Sequence, residues 1–169
     1  AAAYNVARSN DSVALYEIGS VFLGQTAEEL PFEEEHVALV LTGKWTDNAW
    51  QGEKKQVDFF VAKGIIEALF DKLGLTARVS YVKAAVEGLH PGRTAHVLLD
   101  GEVVGLIGQL HPVEQKQAGV KETYVAELNL LAILSAEVEE LVYSPVPRFP
   151  AMTRDIALEL DRGVAAGEI

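Results

Sequence analysis

The chain has 169 residues, 49% of them hydrophobic and 23% charged, enough for about one globular domain of roughly 100–200 residues and too apolar to be mainly disordered. Fourteen basic against 25 acidic residues give a net charge of −11, so the chain by itself should repel phosphate backbones rather than grip nucleic acid. Cysteine is absent, which excludes disulfides and thiolate metal sites, and no apolar run approaches the roughly 20 residues a membrane-spanning helix needs.

The opening AAAYNVARSN has neither the basic nor the apolar region of a secretory signal. Val13 to Phe22 (VALYEIGSVF) is β-rich, with Gly19 expected at a bulge or close approach. The acidic loop GQTAEELPFEEE reads as solvated surface, Glu33 to Glu35 included. His36 to Gly43 reads as a buried strand ended by Gly43, and KWTDNAWQGEKKQ as a polar connection. Asp58 to Gly74 is the clearest helix. Asp58 suits the N-cap and Gly74 the position after the C-cap, while Phe59, Ala62, Ile66, Leu69 and Leu73 keep helical spacing. Ala77 to Lys83 alternates as a strand. His96 to Leu110 gives two β runs around Asp100-Gly101, a pair that tolerates the positive φ angles of a tight hairpin. Tyr124 to Leu128 is a further strand and Leu130 to Val142 an apolar helix.

Several strands joined by hairpins, with two helices and no βαβ rhythm, predict an α+β fold around a mainly antiparallel sheet. SPVPRFP, residues 144–150, holds three of the six prolines and reads as a linker between a domain at 1–143 and a further element at 151–169. There the alternation RDIALELD suggests a strand, followed by a few residues of a new element, so the chain reads as a piece of a longer polypeptide.

Chemistry is sparse. His90 and His96 are six apart, which fits neither helical nor hairpin zinc spacing. As residues of His-Pro turns, His90 and His111 need no ligand, and no metal site is assigned. Arg93 in HPGR is a candidate anion contact through its guanidinium fork; the plainer reading is an ion pair with a neighbouring carboxylate. Trp45 and Trp50 suit packing over a sheet edge. Nucleophile and phosphate-loop motifs are missing, and Gly101, Gly105 and Gly108 read as strand glycines. No catalytic residue and no bound cofactor is assigned from spacing. Two other readings stay open: a small-ligand or anion-binding domain using Arg93, His90 and His96, and a metal-dependent hydrolase built on the histidines.

LYEIGSVF, VDFFVAKGIIEALFDKLG, LHPGRTAHVLLDGEVVGLIGQLHP and PRFPAMTRDIALELD occur in this order over nearly the whole chain. In order and approximate spacing they resemble the C-terminal part of the beta subunit of bacterial phenylalanyl-tRNA synthetase. The resemblance implies a catalytic-like module with the class II synthetase fold, an antiparallel sheet flanked by helices. It implies a partner, the alpha subunit, in an (αβ)2 heterotetramer in the cytoplasm, with ATP and Mg2+ used by the parent complex and none held by this module. The segment from 151 on would open a ferredoxin-like anticodon-binding domain, too short here to read an anticodon. Contact with tRNA(Phe) would belong to the full-length beta subunit.

The active alpha subunit of the family has a similar succession of segments. Its G-R-V-x-R strand is similar to Gly19-Ser20-Val21-Phe22-Leu23, which puts Leu23 where an arginine would meet the ATP α-phosphate and adenylate. Its glycine-rich third motif is similar to AELNLLAIL, which puts Ala132 near the place of the γ-phosphate arginine. Fixed positive charge at those points is what stabilises the transition state, and neither Leu nor Ala supplies it. The resemblance therefore implies a pseudo-active site in a structural and assembly module. The broad helix stripe and the Leu128–Leu134 stretch are candidate contacts, most of their residues being expected in the core.

Overall fold

A computed structural model describes residues 1–10, 12–24, 30–48, 50, 52–138, 143, 145–161 and 163–164. The chain divides into two compact units, Ala1–Glu139 and Glu140–Ile169. In chain order the first holds α1 (Ala2–Ala7), β1 (Val13–Leu23), β2 (Phe32–Thr42), β3 (Lys44–Asn48), β4 (Glu53–Gln56), α2 (Phe59–Lys72), a 3-10 turn at Thr76–Arg78, β5 (Val79–Lys83), β6 (Leu89–Leu99), β7 (Glu102–Leu110), α3 (Pro112–Ala118), β8 (Thr123–Asn129) and α4 (Leu130–Leu134). Six strands form one sheet in the order β1-β2-β8-β7-β6-β5, every neighbouring pair antiparallel. The α+β expectation holds.

Helix α2 makes one side of the core. The Asp58 carboxylate accepts the Val61 amide at 2.7 Å, and Gly74 takes φ +72° just past the C-cap Leu73, so both ends stop where the sequence signals them. Val61, Ala62, Ile66 and Phe70 are buried against Val97, Ile107, Tyr124, Ala126 and Leu128 of the sheet, with Leu41 and Ile133 completing the cluster. Phe60 points away and is exposed.

The β6–β7 turn is also as expected. Asp100 and Gly101 have φ +53° and +86°, the left-handed pair of a type I′ hairpin. Arg78 clamps this turn: its Nε donates to both Asp100 oxygens at 2.8 and 3.1 Å and its Nη2 to one of them. That guanidinium holds the Asp100 carboxyl below its ordinary range. Gly105 and Gly108 allow close packing, since an added Cβ would lie 2.3 Å from the Glu127 carbonyl oxygen at the first and 2.7 Å from Thr94 Oγ1 at the second.

Several expectations are corrected. Gly19 is neither bulge nor close approach: the β1–β2 register runs without a break from Val13↔Thr42 to Leu23↔Phe32, and nothing lies within 4 Å of a Cβ placed there. Strand β2 starts at Phe32, so Glu33 to Glu35 are in a strand and not a loop. The polar connection contains the β3–β4 hairpin, and β5 begins at Val79, after the 3-10 turn that takes up Ala77. The helix expected over Leu130–Val142 closes at Leu134. Only Ile133 of α4 is buried, which offsets little of the cost of forming a longer helix; residues 139–142 lie outside the described residues. In the second unit, 151–161 form no strand, and Ile156 and Leu158 are exposed. Alternation alone does not make a strand without a partner to pair with.

Candidate functional site

Strand alternation gives the sheet two unlike faces. Val37, Leu39 and Leu41 of β2 and Ala126 and Leu128 of β8 look toward α2 and pack with the core. The register pairs His36 with Gly19 of β1 on one side and Asn129 of β8 on the other, and pairs Leu23 with Phe32. These residues, with Glu17, Glu34 and Glu127, therefore share the opposite face. Asn129 leads directly into α4, which contains Ala132. Leu23 closes β1 and Ala132 lies just past the end of β8, at the same end of the sheet, but Leu23 pairs with Phe32, four residues along β1 from the Gly19–His36 pair.

Polar side chains there satisfy one another. His36 Nδ1 lies 2.7 Å from Glu127 Oε1, and His36 Nε2 3.1 Å from Glu34 Oε2. Asn129 Nδ2 donates to the same Glu34 oxygen at 2.7 Å, and Asn129 Oδ1 accepts the Ala132 amide at 2.9 Å. Burial opposes a charge on His36, but the hydrogen bonds to Glu127 and Glu34 and the charges behind them outweigh it, and its pKa is raised above 6.5. Beside this cluster the face opens into a hollow of about 620 Å³ whose floor includes Leu15, Val40, Leu106 and Val125 and whose carboxylates are Glu17, Glu87 and Glu127. No Lys or Arg side chain lines it among the described residues.

Arg93 is elsewhere. Its Nη1 donates to Gln109 Oε1 at 2.7 Å and to Glu122 Oε1 at 3.2 Å, and Glu122 also accepts the Tyr124 hydroxyl. Gln109 and Tyr124 are paired residues whose side chains lie on the α2 side of the sheet, so Arg93 does not reach the His36 face. Burial and the Glu122 hydrogen bond push Tyr124 up to about 12. The ion-pair reading of Arg93 is the one the geometry carries, although Lys83, Phe59 and Phe60 share a hollow with it.

The histidines serve separate local purposes. His90 Nδ1 accepts the Gly92 amide at 3.1 Å, and His111 Nδ1 accepts the Val113 amide at 3.3 Å as the N-cap of α3. The Nδ1 of His96 is buried without a partner. Among the described residues no group of three or more His, Asp or Glu is arranged to hold a metal ion. Trp45 lines an apolar groove beside β1 and α2, as a sheet-edge residue should, whereas Trp50 is 94% exposed and packs on nothing comparable.

The polar cluster on His36 is not legible where Glu33–Glu35 read as a solvated loop; they lie in β2. Two residues apart on a strand, Glu34 and His36 must share a face, as must Glu127 and Asn129. Only the β2–β8 pairing, which no local pattern states, brings the two couples together.

A family profile described as the phenylalanyl tRNA synthetase beta chain CLM domain matches residues 1–130. The chain is 57% identical over 169 residues to the phenylalanine–tRNA ligase beta subunit of Bacillus thuringiensis, covering 100% of this chain and 21% of that protein. Over 166 residues it is 52% identical to the beta subunit of Bacillus subtilis, and over 169 residues 48% identical to that of Staphylococcus aureus, in each case spanning 21% of the relative. The chain thus spans about a fifth of the length of the relatives it matches. No helix among the described residues is long and apolar enough to cross a membrane. A six-stranded antiparallel sheet with small helices and a profile match over residues 1–130 agree: the chain belongs to the phenylalanyl-tRNA synthetase beta chain CLM domain family.

Proposed function

We propose that this chain is a non-catalytic structural and assembly module of a cytoplasmic phenylalanyl-tRNA synthetase. It would support an alpha subunit, in an (αβ)2 heterotetramer, in the ATP-dependent attachment of phenylalanine to tRNA(Phe). The observation that carries the reading is β1. It is an edge strand of 11 residues in unbroken register, and Tyr16, Ile18 and Phe22, all on its α2-facing side, are exposed. Edge strands of self-sufficient domains are blunted by lysine, proline or bulges. β1 has none of these, and exposed Tyr16, Ile18 and Phe22 on one side of an edge strand suit a partner.

The opposite face supports the loss of chemistry. ATP needs fixed positive charge around its phosphates, and the hollow there offers Glu17, Glu87 and Glu127. Leu23 and Ala132 are the lost catalytic positions in this reading. These residues do not fit ATP, and no step of adenylate formation is assigned to them. tRNA contact is assigned to other parts of the full-length beta subunit.

Size-exclusion chromatography with light scattering on this chain mixed with purified alpha subunit tests the proposal. A heterocomplex supports it. Two separate peaks, repeated with full-length beta subunit carrying substitutions on β1 that leave its assembly intact, would remove the role given to this surface. Phenylalanine- and ATP-dependent pyrophosphate exchange by the chain alone would overturn the pseudo-active site.

A further inference from the structure

Both ring nitrogens of His36 lie within hydrogen-bond distance of a carboxylate oxygen, 2.7 Å to Glu127 and 3.1 Å to Glu34. An ionised carboxylate only accepts, and a neutral imidazole has one donor nitrogen and one acceptor. The neutral ring would therefore set a lone pair against one of the two carboxylates, whereas the imidazolium donates to both. Glu34 passes the link on, because the oxygen facing His36 also takes Asn129 Nδ2, and Asn129 Oδ1 holds the first turn of α4 at the Ala132 amide.

We propose that His36 is the proton-controlled latch of this module: its imidazolium ties β2 to β8 and, through Glu34 and Asn129, sets the cap of α4, and loss of the ring proton releases that cap. The charges facing the ring favour the closed form. Glu34 comes from its own strand and Glu127 from β8. On the same face β1 contributes Glu17, and the 84–88 loop Glu87, at the hollow that Glu127 also lines; Ala1, the residue before α1, brings its amino group to that hollow. Helix α4 has no ionisable side chain. With its pKa raised above the unfolded value, the latch is fully closed below about pH 6.5 and opens as pH rises through the folded-state pKa. The inference stands on the hydrogen-bond geometry and does not depend on the proposed assembly role.

NMR on this chain tests it. Long-range proton–nitrogen spectra should show both ring nitrogens of His36 protonated at about pH 6.5, with a midpoint above the ordinary histidine value. The Ala132 amide should titrate at the same midpoint, its exchange protection falling about fivefold on the alkaline side, the weight of a helix cap. In Glu127→Gln the midpoint should drop while the fold is kept. In Asn129→Ala His36 should still titrate high while Ala132 no longer follows. A neutral His36 tautomer at pH 6.5 would overturn the latch. So would a high His36 midpoint that Ala132 ignores in the unsubstituted chain. His36→Gln should abolish the Ala132 titration; should it not fold, the Glu127→Gln and Asn129→Ala pair decides alone.

Discussion

The two halves of the main sheet differ in what covers them. Across β6, β7 and β8, α2 lies over the sheet, and Val97, Ile107 and Phe70 are fully buried. Along β1, only Val13 is buried, although the strand reads VALYEIGSVFL and is no less apolar. Hydrophobic burial is the main favourable term in folding, so equal apolarity with unequal cover means that β1 contributes little to the stability of this unit. Its apolar side chains are available to a contact outside it.

The largest expected effect belongs to the covered half. Phe70→Ala empties a fully buried site facing the sheet and should cost about 3–5 kcal/mol in urea unfolding, a large share of the roughly 5–15 kcal/mol typical of a domain. A loss below about 1 kcal/mol would mean that α2 is not the lid of this core.

Glycines separate the two halves in the same way. Gly105→Ala would drive a Cβ to within 2.3 Å of the Glu127 carbonyl and 2.9 Å of Leu128 Cα, backbone that cannot swing aside, and should cost about 1–3 kcal/mol. Gly19→Ala on β1 meets nothing within 4 Å and should be neutral or stabilising by up to about 1 kcal/mol, because alanine loses less entropy than glycine in a strand. Thermal melts of the two variants should move in opposite directions or, at the least, only the first should fall. Between these lies Asp58→Ala, which removes the 2.7 Å cap on Val61 and should cost about 1 kcal/mol.

Legibility in the sequence followed the same division. Where a signal is local it could be read: Asp58 and Gly74 bound α2, and Asp100-Gly101 makes the hairpin. Helix α3 carries such signals too, Pro112 at the first turn and Gly119 at φ +67° past the end, but its low apolar content gives no helical stripe to read. The β3–β4 hairpin was hidden because strands reading KWTDN and EKKQ are mostly exposed and carry little alternation. RDIALELD failed the other way, alternating without a partner strand among the described residues. Of the candidate site, the positions Leu23 and Ala132 rest on the family resemblance alone. The His36 cluster depends on a strand pairing 91 residues apart in sequence, which composition and spacing do not encode.

The smallest effect on stability should come from β1, and it is the sharpest use of the comparison. Tyr16 and Ile18 are 75% and 55% exposed, and threonine keeps the β preference of the strand. A Tyr16→Thr, Ile18→Thr double variant should therefore unfold within about 0.5 kcal/mol of the parent chain. If β1 is where an alpha subunit sits, the same variant should weaken the heterocomplex about tenfold or more, the usual consequence of truncating central apolar anchors. Loss of association with stability kept would assign the uncovered half of the sheet to assembly. Loss of stability with association kept would show instead that β1 belongs to the core of this unit, and would transfer the contact to another surface.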